Sequence, residues 1–296
     1  MPLYEISAGG GLVPFRRIPG GPDLYESEIE RLVWENPEEF LGESLLLVAQ
    51  QPTLPQGGRP DIVGLDMDGR VVVIEVKRDV DRSQLAQSLE YAGWARSTNL
   101  DEIAGMYQRG AETFFTDWQE FTGRDVLQVI NRRPRLILVA RNLHGRTAAA
   151  LNFLIDAGLP VKVVEVSIYQ DQQARRFLDI EGEHEPEFEI GSERRRQEFL
   201  VEGRRITLAD LIEAGLLEGG DDLVWERPQL GQEYSAQLLE NGAIELPNGE
   251  THASPSGAAK AAAGIAAIDG WQCWKVTRLQ GVRIDSLRAQ LLAGGA

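Results

Sequence analysis

Two carboxylates and one ammonium group stand where neighbouring strands of this chain would bring them together. Asp61 precedes one apolar segment, and Glu75 and Lys77 lie near the end of the next. The Asp68-Gly69 pair between the two segments is typical of a hairpin turn, so the segments are predicted to pair. Because side chains alternate along a strand, Glu75 and Lys77 point to one face, where Asp61 can join them.

This combination of side chains suits phosphodiester hydrolysis. Two carboxylates a few ångströms apart repel each other unless a cation neutralises them, and hard oxygen ligands that retain water favour Mg²⁺ or Mn²⁺. Such an ion stabilises charge on a phosphoryl oxygen, while a neighbouring lysine positions or helps to deprotonate the attacking water. A Glu-X-Lys sequence alone is more often the solvated end of a strand, so the hypothesis depends on the surrounding elements.

Two predicted helices flank the paired strands. Residues 23–37 have apolar side chains at helical spacing and acids in the first turn, which predicts a helix that can lay a further carboxylate against the sheet. Residues 84–94 predict a second helix, in which Gln87 and Tyr91 are four residues apart and share a face. The chain therefore offers, in order, a helical Glu, an Asp, a Glu-X-Lys and a Gln-X-X-X-Tyr.

This order of motifs resembles the PD-(D/E)XK nuclease superfamily. Within that superfamily, the sequence around Gly58-Arg59-Pro60-Asp61 looks most like NucS-like and related restriction-type endonuclease domains. The resemblance covers roughly residues 1–170 and implies an α/β fold, with a restriction-endonuclease-like mixed sheet flanked by helices. It further implies that Asp61 and Glu75 hold the metal and that Lys77 is the catalytic lysine.

The same resemblance gives roles to the two helices. A glutamate of the upstream helix would join the metal site; the family spacing favours Glu26, and Glu28 is the alternative. Gln87 and Tyr91 would support the site or contact the DNA backbone.

Composition excludes several other classes of protein. A chain of 296 residues exceeds one typical domain, so two domains are expected. Its one cysteine, Cys273, excludes an internal disulfide, and with only three histidines a zinc cluster is excluded as well. We find no signal peptide or apolar run of membrane-spanning length, and therefore expect a soluble cytoplasmic protein with no membrane partner.

DNA binding normally relies on Lys and Arg to neutralise phosphate. The net charge of −16 therefore argues against DNA binding only if the excess acids are spread along the whole chain. Residues 179–193 contain seven acids and no Lys or Arg, so this run accounts for much of the excess. Arginines cluster at two places that could follow a phosphate backbone or balance nearby acids on the surface. These are Arg132, Arg133, Arg135, Arg141 and Arg146, and then Arg194, Arg195, Arg196, Arg204 and Arg205.

The rest of the chain predicts two α/β units joined by a charged linker. Strands are expected at 45–50, 135–140 and 161–168, with helices near 99–121 and 146–157. Segments 3–6 and 12–15 predict a small hairpin or an arm that faces a dimer partner. The expected divisions are a nuclease-like domain at 1–178, a linker at 179–202 and a smaller α+β domain at 203–296.

The last segment contains a second series of sequence motifs. A capped helix is predicted at 207–217, strands at 222–226, 233–239 and 243–246, and hairpin turns at Asn241-Gly242 and Asn248-Gly249. Ser254-Pro255 then predicts a helix start, before a Gly-Trp-X-X-Trp sequence. This pattern looks like the RAMA domain, named for restriction enzymes and adenine methylases, and implies a module that recognises modified DNA.

Two roles are open for the tryptophans of this module. Trp271 and Trp274 fill the core of the small domain, which we expect for at least one of them, or they form a pocket in which a flipped base stacks. If they form such a pocket, we expect Lys260, Lys275 and Arg278 to contact phosphates.

Together these patterns predict a Mg²⁺- or Mn²⁺-dependent DNA endonuclease that restricts modified or foreign double-stranded DNA. Cutting both strands would be simplest for a homodimer, because one active site cuts one strand per visit. Two alternatives remain at this point: an endonuclease that repairs mismatched or branched DNA, and a DNA-binding protein on a nuclease fold that no longer cuts.

Overall fold

The computed structural model describes residues 3–6, 12–17, 22–80, 82–122, 131–143, 145–183, 200–201, 204–227 and 230–294. The N-terminal domain contains nine strands and six helices within these ranges. The strands are β1 (Tyr4–Ile6), β2 (Leu12–Pro14), β3 (Arg16–Arg17), β4 (Leu46–Gln50), β5 (Ile62–Leu65), β6 (Arg70–Val80), β7 (Asn131–Leu143), β8 (Val161–Gln170) and β9 (Arg176–Glu183). The helices are α1 (Pro22–Glu35), α2 (Pro37–Leu41), α3 (Arg82–Ser97), α4 (Leu100–Gly105), α5 (Ala111–Thr122) and α6 (Gly145–Asp156).

A mixed sheet with the strand order β3-β8-β7-β6-β5-β4 forms the centre of this domain, and β9 pairs with β8. Strands β4, β5 and β6 form an antiparallel meander, whereas β6 with β7 and β7 with β8 are parallel. Each parallel pair is joined by helices, α3 to α5 in the first case and α6 in the second. The mixed α/β fold predicted from the sequence is confirmed.

The hairpin between β5 and β6 is fixed by its own turn residues. Asp66 Oδ1 accepts hydrogen bonds from the backbone nitrogens of Asp68 and Arg70, both at 3.0 Å. Gly69 adopts a φ of +71°, a conformation that glycine reaches without steric cost. The predicted Asp-Gly hairpin is confirmed, and its register pairs Ile62 with Ile74.

Alternation along β6 separates two apolar layers. Val71 and Val73 pack into the layer that contains α3, α5 and α6, while Val72, Ile74 and Val76 pack into the layer that contains α1 and α2. Odd-numbered residues of β6 therefore face α3. Both faces of the sheet are covered, as is typical of sheets with parallel strands.

The N-terminal hairpin and strand β9 complete the strands of the N-terminal domain. Strands β1 and β2 pair antiparallel, which confirms the hairpin at 3–6 and 12–15. Strand β9 takes in residues 179–183, which we had expected to open the linker, because their backbone completes a ladder with β8. The rest of that expected linker, including Arg194, Arg195 and Arg196, lies outside the described residues apart from 200–201.

One arginine of the first basic cluster is part of the interior. Only 5% of the Arg135 side chain is exposed, because it makes two hydrogen bonds to Glu43, at 2.6 and 2.7 Å, and one to Asp66 at 3.4 Å. The expectation that this residue lies on the surface, where it could follow a phosphate backbone, is therefore wrong. Its role is to neutralise two buried carboxylates and to hold the β5–β6 turn.

The C-terminal domain has a sheet and a core of its own. Its sheet has the antiparallel order β15-β14-β13-β12-β16-β17, and a small hairpin of β10 and β11 precedes it. The strands are β10 (Leu200–Val201), β11 (Arg204–Arg205), β12 (Asp222–Arg227), β13 (Gln232–Leu238), β14 (Ile244–Glu245), β15 (Thr251–His252), β16 (Lys275–Val276) and β17 (Val282–Arg283). The helices are α7 (Leu208–Glu213), α8 (Pro255–Ala263), α9 (Gly270–Cys273) and α10 (Ile284–Gly294).

Local signals in this domain act as the sequence predicts. Thr207 caps α7 in a capping box with Asp210, and Ser254 caps α8 by accepting a hydrogen bond from the backbone nitrogen of Gly257. The turns at 241–242 and 248–249 join β13 to β14 and β14 to β15, as expected for Asn-Gly hairpins. Within the described ranges, no helix has the length and apolar character needed to cross a membrane.

Candidate active site

The register of the β5–β6 hairpin places Asp61 opposite Glu75. The Nζ atom of Lys77 lies 2.9 Å from Asp61 Oδ2 and 3.1 Å from Glu75 Oε2. The two strands also bind each other's carboxylates: the backbone nitrogen of Val76 donates to Asp61 Oδ2 at 2.7 Å, and that of Asp61 donates to Glu75 Oε1 at 3.2 Å. The structure thus brings together the three side chains predicted from strand alternation.

Burial and charge control protonation in this cluster. Glu75 is buried, with 2% of its side chain exposed, and burial together with the negative charge of Asp61 raises its pKa to about 7. Burial acts to lower the pKa of Lys77, but the carboxylates of Asp61 and Glu75 outweigh it and hold that pKa above its ordinary value. Lys77 is therefore a cation that contacts both carboxylates, and its single charge balances only one of them.

The donor atoms of this cluster suit a divalent cation. The Nζ position of Lys77 marks a point that both carboxylates reach, and their hard oxygen atoms favour Mg²⁺ or Mn²⁺. Among the described residues, no group of three Asp, Glu, His or Cys side chains is gathered closely enough to hold a metal ion. The two side chains that would hold such an ion are Asp61 and Glu75.

The two glutamates expected from helix α1 have different surroundings. Glu26 Oε1 accepts a hydrogen bond from the backbone nitrogen of Arg78 at 2.8 Å, so Glu26 holds the strand next to Lys77. Glu28 points to strand β9, where both its oxygens bind Arg176 at 2.6 Å. Of these two, Glu26 is the one that touches the strand carrying the cluster.

A third glutamate of α1, which sequence reasoning missed, also faces the cluster. Glu30 is buried, and Gln51 Nε2 donates to its Oε2 atom at 2.8 Å. Burial raises the pKa of Glu30, the hydrogen bond from Gln51 opposes this, and the negative charge of Asp61 adds to it. Gln51 adopts a φ of +45°, an uncommon conformation for a residue other than glycine. The signal for Glu30 was its spacing, one helical turn after Glu26.

Gln87 and Tyr91 support the loop that leads to Asp61. Gln87 Nε2 donates to the Tyr91 hydroxyl oxygen at 2.8 Å, and the same oxygen accepts a hydrogen bond from the backbone nitrogen of Arg59 at 3.1 Å. The pair therefore connects helix α3 to the chain two residues before Asp61. Of the two roles that the resemblance implied, this geometry corresponds to support.

A family comparison matches the C-terminal part of the chain. Residues 189–295 match the family described as RAMA, Restriction Enzyme Adenine Methylase Associated. The C-terminal domain is RAMA-like. The match begins before the segment that the sequence motifs had covered and includes the residues considered for DNA contact.

Both tryptophans of the RAMA-like domain lie in its core. Trp274 is fully buried and donates from Nε1 to the Pro255 carbonyl at 2.9 Å, and Trp271 is 7% exposed with Arg288 over its ring. Both indoles therefore fill the core, as we expected for at least one of them.

The three basic residues considered for phosphate contact differ in their surroundings. Lys275 donates to Glu226 at 2.6 Å, and Arg278 makes hydrogen bonds of 2.6 and 2.8 Å to Asp221. Lys260 lies on α8 and lines a cavity against the N-terminal domain. A phosphate would compete with a carboxylate at Lys275 and Arg278, so Lys260 is the better candidate.

Three solved structures are similar to part of the chain. One is a repair endonuclease from Pyrococcus abyssi, 24% identical over 47% of this chain and 46% of that chain, with a TM-score of 0.29. The others are EndoMS in a dsDNA complex and in apo form, 20% and 21% identical over 56% of this chain and 64% of theirs, with TM-scores of 0.30. The matched region spans less than two-thirds of these chains. A search of curated proteins finds no match.

Proposed function

We propose that the N-terminal domain hydrolyses phosphodiester bonds of double-stranded DNA with the help of a divalent cation, Mg²⁺ or Mn²⁺. The observation that supports this most is the convergence of Asp61 and Glu75 on the ammonium group of Lys77, at 2.9 and 3.1 Å. A purely structural ion pair would need one carboxylate for one lysine. The second carboxylate leaves a negative charge for another cation.

Each residue of the cluster has a distinct task in this proposal. Asp61 and Glu75 would hold the cation, which supplies stabilisation of the charge that develops on the phosphate. Lys77 donates hydrogen bonds to the attacking water or the scissile phosphate, because its neighbours keep it protonated. Glu26 fixes the backbone beside Lys77, and Glu30 is the further acid that faces the site.

The RAMA-like domain would select the DNA. The description of its family, Restriction Enzyme Adenine Methylase Associated, supports restriction of modified or foreign DNA as the role of the whole chain. We place the end of the nuclease domain at Glu183, where β9 ends, and the start of the RAMA-like domain within the segment that follows. A homodimer would cut both strands, because each chain carries one site.

Plasmid cleavage tests this function directly. Matched plasmids, unmodified, adenine-methylated, cytosine-methylated or hydroxymethylated, are incubated with the full chain and Mg²⁺, Mn²⁺ or EDTA. We expect cutting of one modified plasmid, its loss in EDTA, and loss by a factor of about 10³ or more in Asp61→Asn and Lys77→Ala. Arg175→Ala serves as the control, because it removes an exposed cation that pairs with Asp171.

Other outcomes would replace parts of the proposal. Cutting by Lys77→Ala at the normal rate would place the site elsewhere. Cutting of a mismatched duplex but of none of the plasmids would assign the chain to repair. Binding of DNA without cleavage under every condition would leave a DNA-binding protein on a nuclease fold.

A further inference from the structure

Polar and apolar side chains of the two domains meet at a shared contact surface. Trp271 Nε1 donates to Glu38 Oε1 at 3.2 Å, and the hydroxyl oxygens of Ser44 and Ser256 are 3.3 Å apart. Ala267 of the RAMA-like domain is 3% exposed and packs into the apolar core of the N-terminal domain. Any cavity at this surface therefore has walls from both domains.

Such a cavity exists beside this contact, with a volume of about 340 Å³. This volume lies within the range of about 300–1,000 Å³ that small-ligand sites occupy. Its lining combines apolar and aromatic side chains with two cations. The residues that define this character are Trp34, Leu45, Leu47 and Tyr107, with Arg109 and Lys260 as the cations.

The N-terminal wall of the cavity is held in place by hydrogen bonds. The Tyr107 hydroxyl donates to Asp117 Oδ2 at 2.7 Å, and Arg109 Nη1 lies 3.2 Å from the same oxygen. The backbone nitrogen of Gln108 donates to the Val48 carbonyl at 2.8 Å, which fastens this loop to strand β4. The aromatic ring and the arginine are thus positioned before any ligand binds, which lowers the cost of binding.

Lys260 brings a charge to this cavity without a partner of its own. Within the described ranges, its ammonium group makes no hydrogen bond or ion pair. Burial lowers its pKa, and the carboxylates of Glu39 and Glu38, which act in the opposite direction, do not compensate fully. A partly buried cation with incomplete compensation favours an anionic ligand.

The cavity also lies close to the acidic cluster. Trp34 follows Glu30 by one turn of α1, about 6 Å along the helix. Leu47 precedes Gln51 by four residues of β4, about 13 Å along the strand. Because Glu30 and Gln51 bind each other and Glu30 senses the charge of Asp61, α1 and β4 connect the acidic cluster with the cavity wall.

We propose that this interdomain cavity binds one nucleotide unit, with its base against Trp34 and the apolar wall and its phosphate on Lys260. The pairing of an aromatic, apolar wall with an incompletely compensated cation is the complement of a planar base that carries an anionic group. The proposal depends on the proposed function only in naming DNA as the source of the nucleotide. A free mononucleotide has the same chemistry.

Calorimetric titration of the full chain without metal tests the cavity independently of cleavage. The probes are deoxyadenosine 5′-monophosphate, deoxyadenosine and deoxyribose 5-phosphate. We expect the monophosphate to bind more tightly than either fragment. Lys260→Met should weaken it by about tenfold to a hundredfold, the loss expected for one charge-assisted hydrogen bond. Arg283→Met, which removes an exposed cation of the same domain, should leave it unchanged.

A second variant keeps the test valid if Lys260→Met fails to fold. Ala266→Phe fills the cavity from the RAMA-like side, retains Lys260 and should also abolish binding. Displacement of the bound monophosphate by duplex DNA identifies DNA as the source, and a failure of DNA to displace it identifies a free nucleotide. The proposal is overturned if the monophosphate does not bind, or if it binds to both variants as tightly as to the unmodified chain. A chain that cuts no plasmid but binds the monophosphate would refute only the proposed function.

Discussion

Gly58 lies directly against the ring of Tyr91: a Cβ atom added at Gly58 would come within 2.7 Å of Tyr91 Cε1. Gly58 also adopts a φ of +93°, which residues with a side chain rarely reach. Helix α3 therefore requires a glycine in the loop before Asp61. The glycine, the tyrosine and the glutamine at position 87 act as one unit that sets the position of the Asp61 carboxylate.

Loss of the Tyr91 hydroxyl tests this unit. Tyr91→Phe keeps the ring but removes the partner of Gln87 and of the Arg59 backbone nitrogen. We expect the cleavage rate to fall about tenfold, because small displacements of a catalytic group are costly. The free energy of unfolding should fall by about 1 kcal/mol. Single-turnover cleavage and urea unfolding measure the two effects.

The matched control for this variant is Tyr234→Phe in the RAMA-like domain. The Tyr234 hydroxyl donates to Gln232 at 2.9 Å on the protein surface, far along the chain from the cluster. Equal cleavage rates for Tyr91→Phe and Tyr234→Phe would show that the Gln-X-X-X-Tyr unit does not position the site.

The acidic cluster was predictable because local rules place it. The Asp-Gly turn sets the hairpin, and alternation with a period of two then puts Asp61, Glu75 and Lys77 on one face. These rules involve residues close in sequence. They do not depend on how the rest of the chain packs.

The helix carboxylate was less predictable because helical spacing fixes a face but not its direction. Glu26 and Glu30 are one turn apart, and only the packing of α1 against the sheet makes Glu30 face Asp61 while Glu28 meets Arg176. The buried position of Arg135 was unpredictable from local sequence as well. Its partner Glu43 is 92 residues away, so no local pattern distinguishes it from the surface arginines around it.

Neutral variants of the α1 glutamates separate their roles. Glu30→Gln removes a charge that faces Asp61, so we expect cleavage to slow by about tenfold to a hundredfold. Glu28→Gln weakens a partly exposed pair with Arg176 and should change neither cleavage nor stability by more than about 1 kcal/mol. Parallel single-turnover assays compare the cleavage rates of the two variants with that of the unmodified chain. A larger loss in Glu28→Gln than in Glu30→Gln would support Glu28, the alternative to Glu26, as the helix carboxylate of the site.

Removal of Arg135 should strongly destabilise the N-terminal domain. Arg135→Met leaves Glu43 and Asp66 buried without this cation, and their side chains are 7% and 0% exposed. Breaking such a pair from one side costs about 3–5 kcal/mol. Thermal and urea unfolding measure this loss, with Arg31→Met as the control because Arg31 and its partner Glu35 are 57% and 50% exposed. A loss as small as that of the control would contradict the buried role.

The Glu38 carboxyl at the domain contact should make stability depend on pH. Burial raises its pKa from 4.5 to about 7, although a hydrogen bond from Ser256 opposes the shift, and the charges around it are those of Asp269, Glu39 and Lys260. The folded state therefore favours the protonated form. This contribution to stability is fully present below pH 4.5 and is lost as the pH rises through 7.

Glu38→Gln isolates this effect, because glutamine does not titrate and can still accept the hydrogen bond from Trp271. Between pH 5 and 8, we expect the free energy of unfolding of the unmodified chain to fall by on the order of 1 kcal/mol more than that of the variant, a discounted value because the side chain is only half-buried. Urea unfolding at a series of pH values gives the difference. Parallel pH profiles for the two chains would mean that the carboxyl titrates normally and that the domain contact does not exclude water from it.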